Sequence, residues 1–428
     1  MTLAEQMKLL AAEAKCASRG LAQLSSDDRN RCLRAMADAL VAATSAILEA
    51  NAKDMETGRE LGLSVAMLDR LRLDANRVGA MAQGVREVAD LPDPVGRVLE
   101  SRTRPNGLRL DKVSVPIGVI VIIYESRPNV TADAASLCFK TGNATILRGG
   151  KEALNSNRLI ADTMIAAAKA TLPGFPDKAI QVVPTADRDA IPALLTLPQY
   201  VDLCIPRGGE KLIRAVTECA RVPVIKHYKG VCHIYVDREA DLDMAEAITL
   251  NAKVQRPSAC NAAETLLVDW AVATDFLPRI AAALWEKQVE LRVDTPTHTV
   301  LAMKCKAPKG KLASAQPGDW DTEYNDYILN LRVVDGLDDA IAHITRHGSN
   351  HSDAIITRNE STARRFLAEV DSATVYWNAS TRFTDGGEFG MGAEIGISTD
   401  KIGARGPMGL DELCSYKWLG IGTGQIRA

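Results

Sequence analysis

The nine cysteines of this 428-residue chain contain no CxxC pair, are odd in number and lie scattered. That spacing argues against both a zinc ribbon and a disulfide framework. Cys138 in AASLCFK and Cys204 in VDLCIP sit inside apolar runs, which fits a reducing cytoplasm. Long apolar runs are also lacking: the longest, around VPIGVIVIIY, falls short of the roughly 20 residues that a spanning helix needs, so no membrane partner is expected. The N-terminus, MTLAEQMKLLAAEAK, is an amphipathic helix of mixed charge with no basic region leading into an apolar core, so no signal peptide is expected. Neither sign of charge is in large excess. A net charge of −3 and a pI near 6.1 offer nucleic acid no general attraction, which leaves a small molecule as the expected partner. The chain has no internal repeat, low-complexity tract or long linker, and it matches neither G-x-G-x-x-G nor the P-loop pattern.

What is present reads as two α/β lobes, because the length exceeds one ordinary core. Residues 2 to about 89 are Ala- and Leu-rich with helical periodicity, and Ser25, Ser26, Asp27 and Asp28 supply a helix start. Pro92, Pro94 and Gly96 then mark a break, and Asn106-Gly107 is a hairpin turn between polar, alternating strands. Such a ribbon buries little by itself and is expected to pack on another subunit or lobe. From Pro116 onward, short apolar strands (VIVIIY, ATILR, IQVV, VDLCI, VCHIYVD) alternate with helices, the pattern of a parallel, doubly wound sheet. Ligands of such sheets bind at the carboxyl ends of strands, so ESRPN, GGKEA and PRGG are the loops to watch. After Asp241 the alternation resumes as a second lobe, with ETLLVD, NLRVVD, DAIITR and ATVYWN as strands. The closing DELCSYKWLGIGTG could add a strand to another sheet.

Cys260, in NAKVQRPSACNAAETLLVD, lies between a helix that Pro257 ends and the strand ETLLVD. Small or polar neighbours leave its sulfur open and Arg256 could stabilise a thiolate, although free cysteine more often serves as a small buried hydrophobe. RGGK (Arg148 to Lys151) and PRGG (Pro206 to Gly209) each follow a strand and open a helix, where backbone N–H groups can approach a phosphate. His343, His347 and His351 have i, i+4, i+8 spacing, but Gly348, Ser349 and Asn350 would end that helix, and no metal site is expected. His227 or His233 could serve a Cys-His hydrolase, and the basic cluster Lys226, His227 and Lys229 suits a small anion. An oligomeric scaffold without catalysis is a further alternative.

Taken together, PIGVIVIIYESRPNVTADAASLCFKTGNATILRGGKEA, CIPRGG, PVIKHYKGVCHIYVD, NAKVQRPSACNAAETLLV, TEYNDYI and ARGPMGLDEL resemble the γ-glutamyl phosphate reductase family of the aldehyde dehydrogenase superfamily, in order over nearly the whole chain. The resemblance implies an aldehyde dehydrogenase-like fold of two doubly wound α/β lobes plus a small oligomerisation β-ribbon. Residues 1–102 and 116–236 would form the cofactor-binding lobe, 103–115 and 406–428 the ribbon and tail, and 237–405 the catalytic lobe. It implies NADPH-dependent reduction of L-glutamyl 5-phosphate to L-glutamate 5-semialdehyde in proline biosynthesis, by a cytoplasmic homo-oligomer. A separate glutamate 5-kinase would supply the acyl phosphate, by direct handover.

By the same resemblance Cys260 is the nucleophile and Asn129 the oxyanion donor, while Glu323 contacts the nicotinamide ribose. Arg148, Gly149, Gly150 and Lys151 belong to the adenosine end of the cofactor, with Arg148 and Lys151 candidates for a 2′-phosphate. Pro206, Arg207, Gly208 and Gly209 belong to the pyrophosphate or nicotinamide. Lys226, His227, Lys229 and Arg405 are substrate candidates, Arg405 being equally a candidate for the subunit interface. Hydrolytic aldehyde dehydrogenases carry a water-activating glutamate in ELGG, where this chain reads IKHYKG, so a thioacyl intermediate should resist hydrolysis. One departure stands out: Gly403 occupies a position where histidine is expected.

Overall fold

The computed structural model describes residues 1–427. The chain forms two compact units: the first holds Met1–Lys226, Gly390–Gly396 and the segment from Met408 onward, and the second holds His227–Phe389 and Ile397–Pro407. No helix among the described residues is long and apolar enough to cross a membrane.

In the first unit the Ala- and Leu-rich stretch forms five helices, Leu3–Leu21, Ser26–Ala42, Thr44–Glu60, Val65–Leu71 and Ala75–Asp90. Ser25 caps the second, its Oγ accepting from the Asp28 N–H at 3.1 Å, as the Ser-Ser-Asp-Asp start predicts. Leu33, Met36 and Leu40 of the second helix and Val78 and Val85 of the fifth are fully buried. Behind it lies a four-stranded parallel sheet in the order Ile180–Val182, Ala144–Arg148, Val119–Tyr124, Leu203–Arg207. All six residues of VIVIIY are buried, the signature of a strand covered on both faces.

The ribbon is a three-stranded antiparallel sheet of Val98–Thr103, Arg109–Pro116 and Cys414–Ile421, turning at Gly107 with φ +86°. It begins before the expected residue 103. The C-terminal strand joins this same ribbon, with Tyr416 opposite Ser114 and Ile421 opposite Arg109.

The second unit is a seven-stranded, all-parallel sheet ordered Leu312–Ser314, Glu290–Val293, Ile328–Val334, Ala263–Asp269, Cys232–Val236, Ser352–Ile356, Thr374–Trp377. The helix Trp270–Glu286 buries Phe276, Leu277, Ile280 and Leu284 in the core of this unit. Two details differ from the sequence reading. The strand VCHIYVD, expected to close the first lobe at residue 236, pairs with Ala263–Asp269 and Ser352–Ile356, so it belongs to the second sheet. Between ETLLVD and NLRVVD, where the sequence reading names no strand, lie the strands Glu290–Val293 and Leu312–Ser314 and the helix Thr295–Lys304. These strands, the edge strand Leu312–Ser314 and its neighbour Glu290–Val293, are short and only partly buried, so they lack the continuous apolar run that marks a central strand.

Candidate active site

The Cys260 turn is held from several sides within the second unit. The helix Leu242–Val254 ends before Pro257, and the chain turns twice, with Ala259 N–H donating to the Arg256 carbonyl at 3.1 Å and Ala262 N–H to the Ala259 carbonyl at 2.9 Å. Asn261 then ties the turn to residues 381–384: its Nδ2 donates to the Thr384 carbonyl at 2.8 Å and its own carbonyl accepts from Thr381 Oγ1 at 2.7 Å. Arg382 donates to Asn261 Oδ1 and, at 2.7 Å, to Gln255 Oε1. From the opposite side Gly230 presses on the turn, and a Cβ there would lie 1.8 Å from the Cys260 carbonyl oxygen. Only glycine permits that approach. Beneath it the buried Cys232 thiol donates to the same oxygen at 3.3 Å. The turn is thus rigid in backbone while Cys260 itself stays partly exposed.

A buried ion pair anchors both ends of this segment. Lys253, in the helix before the turn, donates to Glu264, in the strand after it, at 2.7 Å, and both side chains are almost wholly buried. Burial pushes the Glu264 carboxyl up to about 7, the Lys253 ammonium drawing it back, and burial pushes the Lys253 amine down. Each group holds its place only because the other is there.

Cys260, His227 and His351 each precede one of three adjacent parallel strands, Ala263–Asp269, Cys232–Val236 and Ser352–Ile356. Their sulfur and one ring nitrogen of each histidine all lie within 4.8 Å of one another. The imidazoles meet edge to face, with centroids 5.6 Å apart. His227 Nδ1 is 2.9 Å from the Ile397 carbonyl, which can only accept, so Nδ1 carries a proton. His351 Nδ1 is 2.8 Å from Ser352 Oγ, whose own hydrogen goes to Thr384 Oγ1 at 2.7 Å, so His351 Nδ1 carries a proton as well. Burial, reinforced by His227, pushes the His351 imidazole down to about 3, and it is neutral at physiological pH.

The other candidates are distributed differently. His233 is fully buried and its ring and backbone N–H both bond Asp353 Oδ1, at 3.0 and 2.8 Å, a structural role that removes it as a partner for Cys260. The histidine array splits as its spacing predicts: the helix Gly336–His347 ends there, His343 and His347 keep their rings 4.7 Å apart, and His351 leaves for Cys260. Lys229 donates to the Asp321 carbonyl at 2.5 Å, and Arg405 pairs with Asp371 at 2.7 Å. Glu323 sits partly buried in a loop, where its charge adds to the burial that raises Glu264. Gly403 has φ +91°, a backbone that disfavours the expected histidine.

In the first unit, Asn129 is exposed at the start of the helix Asn129–Lys140 and donates to Asp133 at 2.9 Å. Burial pushes the Asp133 carboxyl up to about 6, against the pull of Asn129 and Arg207. Arg148 is buried and donates to the Gly149 and Ala186 carbonyls, at 2.7 and 2.9 Å, so it shapes the loop and Lys151 alone of the two is exposed. Gly149 is needed for packing, since a Cβ there would lie 2.0 Å from the Asn157 amide. After Pro206 and Arg207 in the strand, Gly208 and Gly209 lead into the helix Glu210–Cys219. Gly209 N–H already holds a carboxylate oxygen of Glu125 at 3.2 Å, so this helix start suits an anionic oxygen such as that of a diphosphate, and the donor set fits a nicotinamide dinucleotide. A Cβ at Gly396 would strike the Arg207 guanidinium, which fixes where that side chain runs.

Sequence reasoning weighed His351 only within the histidine array, not as a neighbour of Cys260, and missed Arg382. Arg382 carries a pKa lowered by burial and then by Arg256, with Cys260 among the groups that raise it, which puts a permanent cation within electrostatic range of the thiol. The signal for His351 was its place directly before a strand, as with Cys260, in a sheet whose order the sequence does not state.

A cysteine held on a turn in one parallel α/β unit and a glycine-rich helix start in another are the parts of an aldehyde dehydrogenase. The Aldehyde dehydrogenase family profile matches residues 2–303, and the chain belongs to that family. Within it the similarity is to gamma-glutamyl phosphate reductases. The chain is 55% identical over 427 residues to the one from Opitutus terrae, covering 100% of this chain and 99% of that one, and 54% identical to the one from Moorella thermoacetica, covering 100% of both. The crystal structure of the Thermotoga maritima gamma-glutamyl phosphate reductase superposes with a TM-score of 0.95 at 42% identity, over 99% of this chain and 100% of that one.

Proposed function

We propose that the chain reduces L-glutamyl 5-phosphate to L-glutamate 5-semialdehyde, with release of phosphate, in proline biosynthesis. Full-length identity of 55% to a gamma-glutamyl phosphate reductase supports the reaction, and the observation that carries the chemistry is the Cys260 turn with two imidazoles in reach. The Cys260 thiol gives its proton to an imidazole Nε2, and the sulfur bonds to the acyl carbon as the bond to the phosphate oxygen breaks. The proton then passes to the departing phosphate, which leaves as hydrogen phosphate. His227 is the better placed to turn over protons, since His351 is fully buried and held neutral.

Bound reduced nicotinamide supplies the hydride that takes the thioacyl group to the aldehyde level. Collapse returns a thiolate, which Arg382 and Arg256 stabilise until it regains a proton from water. Asn129 serves as the oxyanion donor on the family pattern, and Glu323 as the ribose contact. The first unit is the cofactor lobe, where Gly208 and Gly209 receive the diphosphate and Lys151 favours the 2′-phosphate of NADPH. The second is the catalytic lobe. No carboxylate stands in IKHYKG to activate water, so the thioacyl group persists until hydride arrives.

The ribbon serves homo-oligomerisation: Val98, Leu99, Tyr416, Trp418 and Ile421 are all exposed on it and would otherwise face water. A cytoplasmic location and handover from glutamate 5-kinase complete this reading. The test runs the reaction backwards, following NADP⁺ reduction with glutamate 5-semialdehyde, with and without phosphate, for wild type and Cys260→Ala. Turnover requiring both phosphate and Cys260 is expected. Turnover without phosphate would mean that water resolves the thioester, and the acyl-phosphate mechanism would fall.

A further inference from the structure

The geometry around Cys260 has a second chemical consequence. One sulfur and two imidazole nitrogens, all within 4.8 Å of one another, come from the amino ends of three neighbouring strands of one sheet. Both histidines have their Nδ1 protons directed away, His227 to the Ile397 carbonyl and His351 to Ser352 Oγ, which is held in turn by Thr384. A ring nitrogen fixed as an acceptor by a hydrogen bond from its partner nitrogen is the arrangement of metal-binding histidines. The fully buried His351 also leaves its Nε2 without a hydrogen-bond partner, an unsatisfied acceptor that a cation would satisfy.

We propose that His227, Cys260 and His351 form a three-ligand site for a soft divalent cation, Zn²⁺ or Co²⁺, and that its occupancy reversibly blocks Cys260. Two imidazoles and a thiolate are a preferred set for such ions, and three protein ligands leave the fourth tetrahedral position to water. Tetrahedral binding would set the donor atoms roughly 3.5 Å apart, which needs only small side-chain rotations from the present spacing. Binding displaces the thiol proton to solvent and forms a metal–sulfur bond, with no change of oxidation state. The cation withdraws charge from the bound sulfur and blocks the approach of an acyl carbon, so the ion inhibits; that consequence alone rests on Cys260 being the nucleophile. The sequence pattern suggested no metal site because it sought ligands along one helix, and these three converge across strands.

The experiment adds Co²⁺ to the full-length protein after removal of metal with EDTA. One equivalent per chain, a thiolate-to-cobalt charge-transfer band in the near ultraviolet, displacement by Zn²⁺, and protection of Cys260 from iodoacetamide as read by peptide mass are expected. His351→Ala should weaken cobalt binding by at least about tenfold, and Cys260→Ser should remove the band. If no band forms in wild type, or if it is unchanged in both His351→Ala and His227→Ala, the proposal is overturned. Protection in wild type is read without any variant, so a misfolded substitution cannot decide the matter. Cobalt binding by a protein without reductase turnover would defeat the functional reading and leave the metal site standing; turnover without cobalt binding would do the reverse.

Discussion

In the first unit the loops ESRPN, RGGK and PRGG all leave the carboxyl ends of parallel strands, whereas in the second Cys260, His227 and His351 stand at the amino ends. The two sheets are otherwise alike, parallel and covered by helices. Carboxyl ends lead into helix N-termini, whose N–H groups attract anions, as Gly209 does with Glu125. Amino ends receive chain from helix C-termini, where carbonyl groups dominate. Carbonyls orient a histidine ring through an N–H, as the Ile397 carbonyl of the strand Gly396–Ser398 does for His227, but they disfavour a thiolate. The second unit therefore needs nearby cations, and Arg256 and Arg382 answer that need. One end of a parallel sheet suits holding a cofactor's phosphates, and the other suits an acceptor-lined nucleophile.

The comparison breaks most sharply at Cys260. Cys260→Ala is expected to reduce semialdehyde-dependent NADP⁺ reduction to background while nucleotide binding, measured by fluorescence quenching, is unaltered. Lys151→Ala should have the opposite profile, raising the KM for NADPH several-fold, about 1 kcal/mol of lost charge-assisted binding, with kcat retained. Equal losses of both parameters in both variants would remove the division of labour between the two ends.

Next in size is the anchor of the turn. Lys253→Met leaves the buried Glu264 carboxyl without its cation, with the Asn325 N–H at 3.3 Å still donating to it, and should cost about 3–5 kcal/mol in urea unfolding. Adding Glu264→Leu to Lys253→Met should recover much of that loss; a double variant as unstable as the single would show that packing, not charge, is responsible.

In the first unit the corresponding stress is at Asp133, whose folded pKa of about 6 exceeds its ordinary value of 3.8. The folded state then binds its proton more tightly than the unfolded one, so the carboxyl's favourable contribution is present below pH 4 and is lost as pH rises through 6. Asp133→Asn should accordingly be more stable than wild type at pH 8, by at most about 3 kcal/mol, and the difference should vanish near pH 4. A pH-independent difference would place the cause elsewhere. The smallest effect is electrostatic: Arg382→Gln removes a cation that favours the Cys260 thiolate and should slow iodoacetamide alkylation at neutral pH several-fold. An unchanged alkylation profile would show that Arg382 acts only through its bonds to Asn261 and Gln255.

Much of the fold was legible because its determinants are local. VIVIIY, ATILR and ETLLVD are continuous apolar runs and could only be strands buried on both faces. Ser25 announces its helix, and Asn106-Gly107 its turn. Less local features were misread. VCHIYVD has the apolar pattern of the strands on both sides of it, so pattern alone could not assign it to a sheet. Arg148 beside two glycines resembles a phosphate loop, yet its guanidinium meets the carbonyls of a distant segment, Ala186 and Asp187.

By itself, the sequence determined the two α/β units, the ribbon and Cys260 on a turn, since periodicity, proline and glycine act within a few residues. The tertiary structure alone decided that His227 and His351 meet Cys260 while His233 does not. That choice depends on which strands lie side by side and on which ring nitrogen each surrounding carbonyl or hydroxyl occupies, and both are set by packing between segments far apart in the chain.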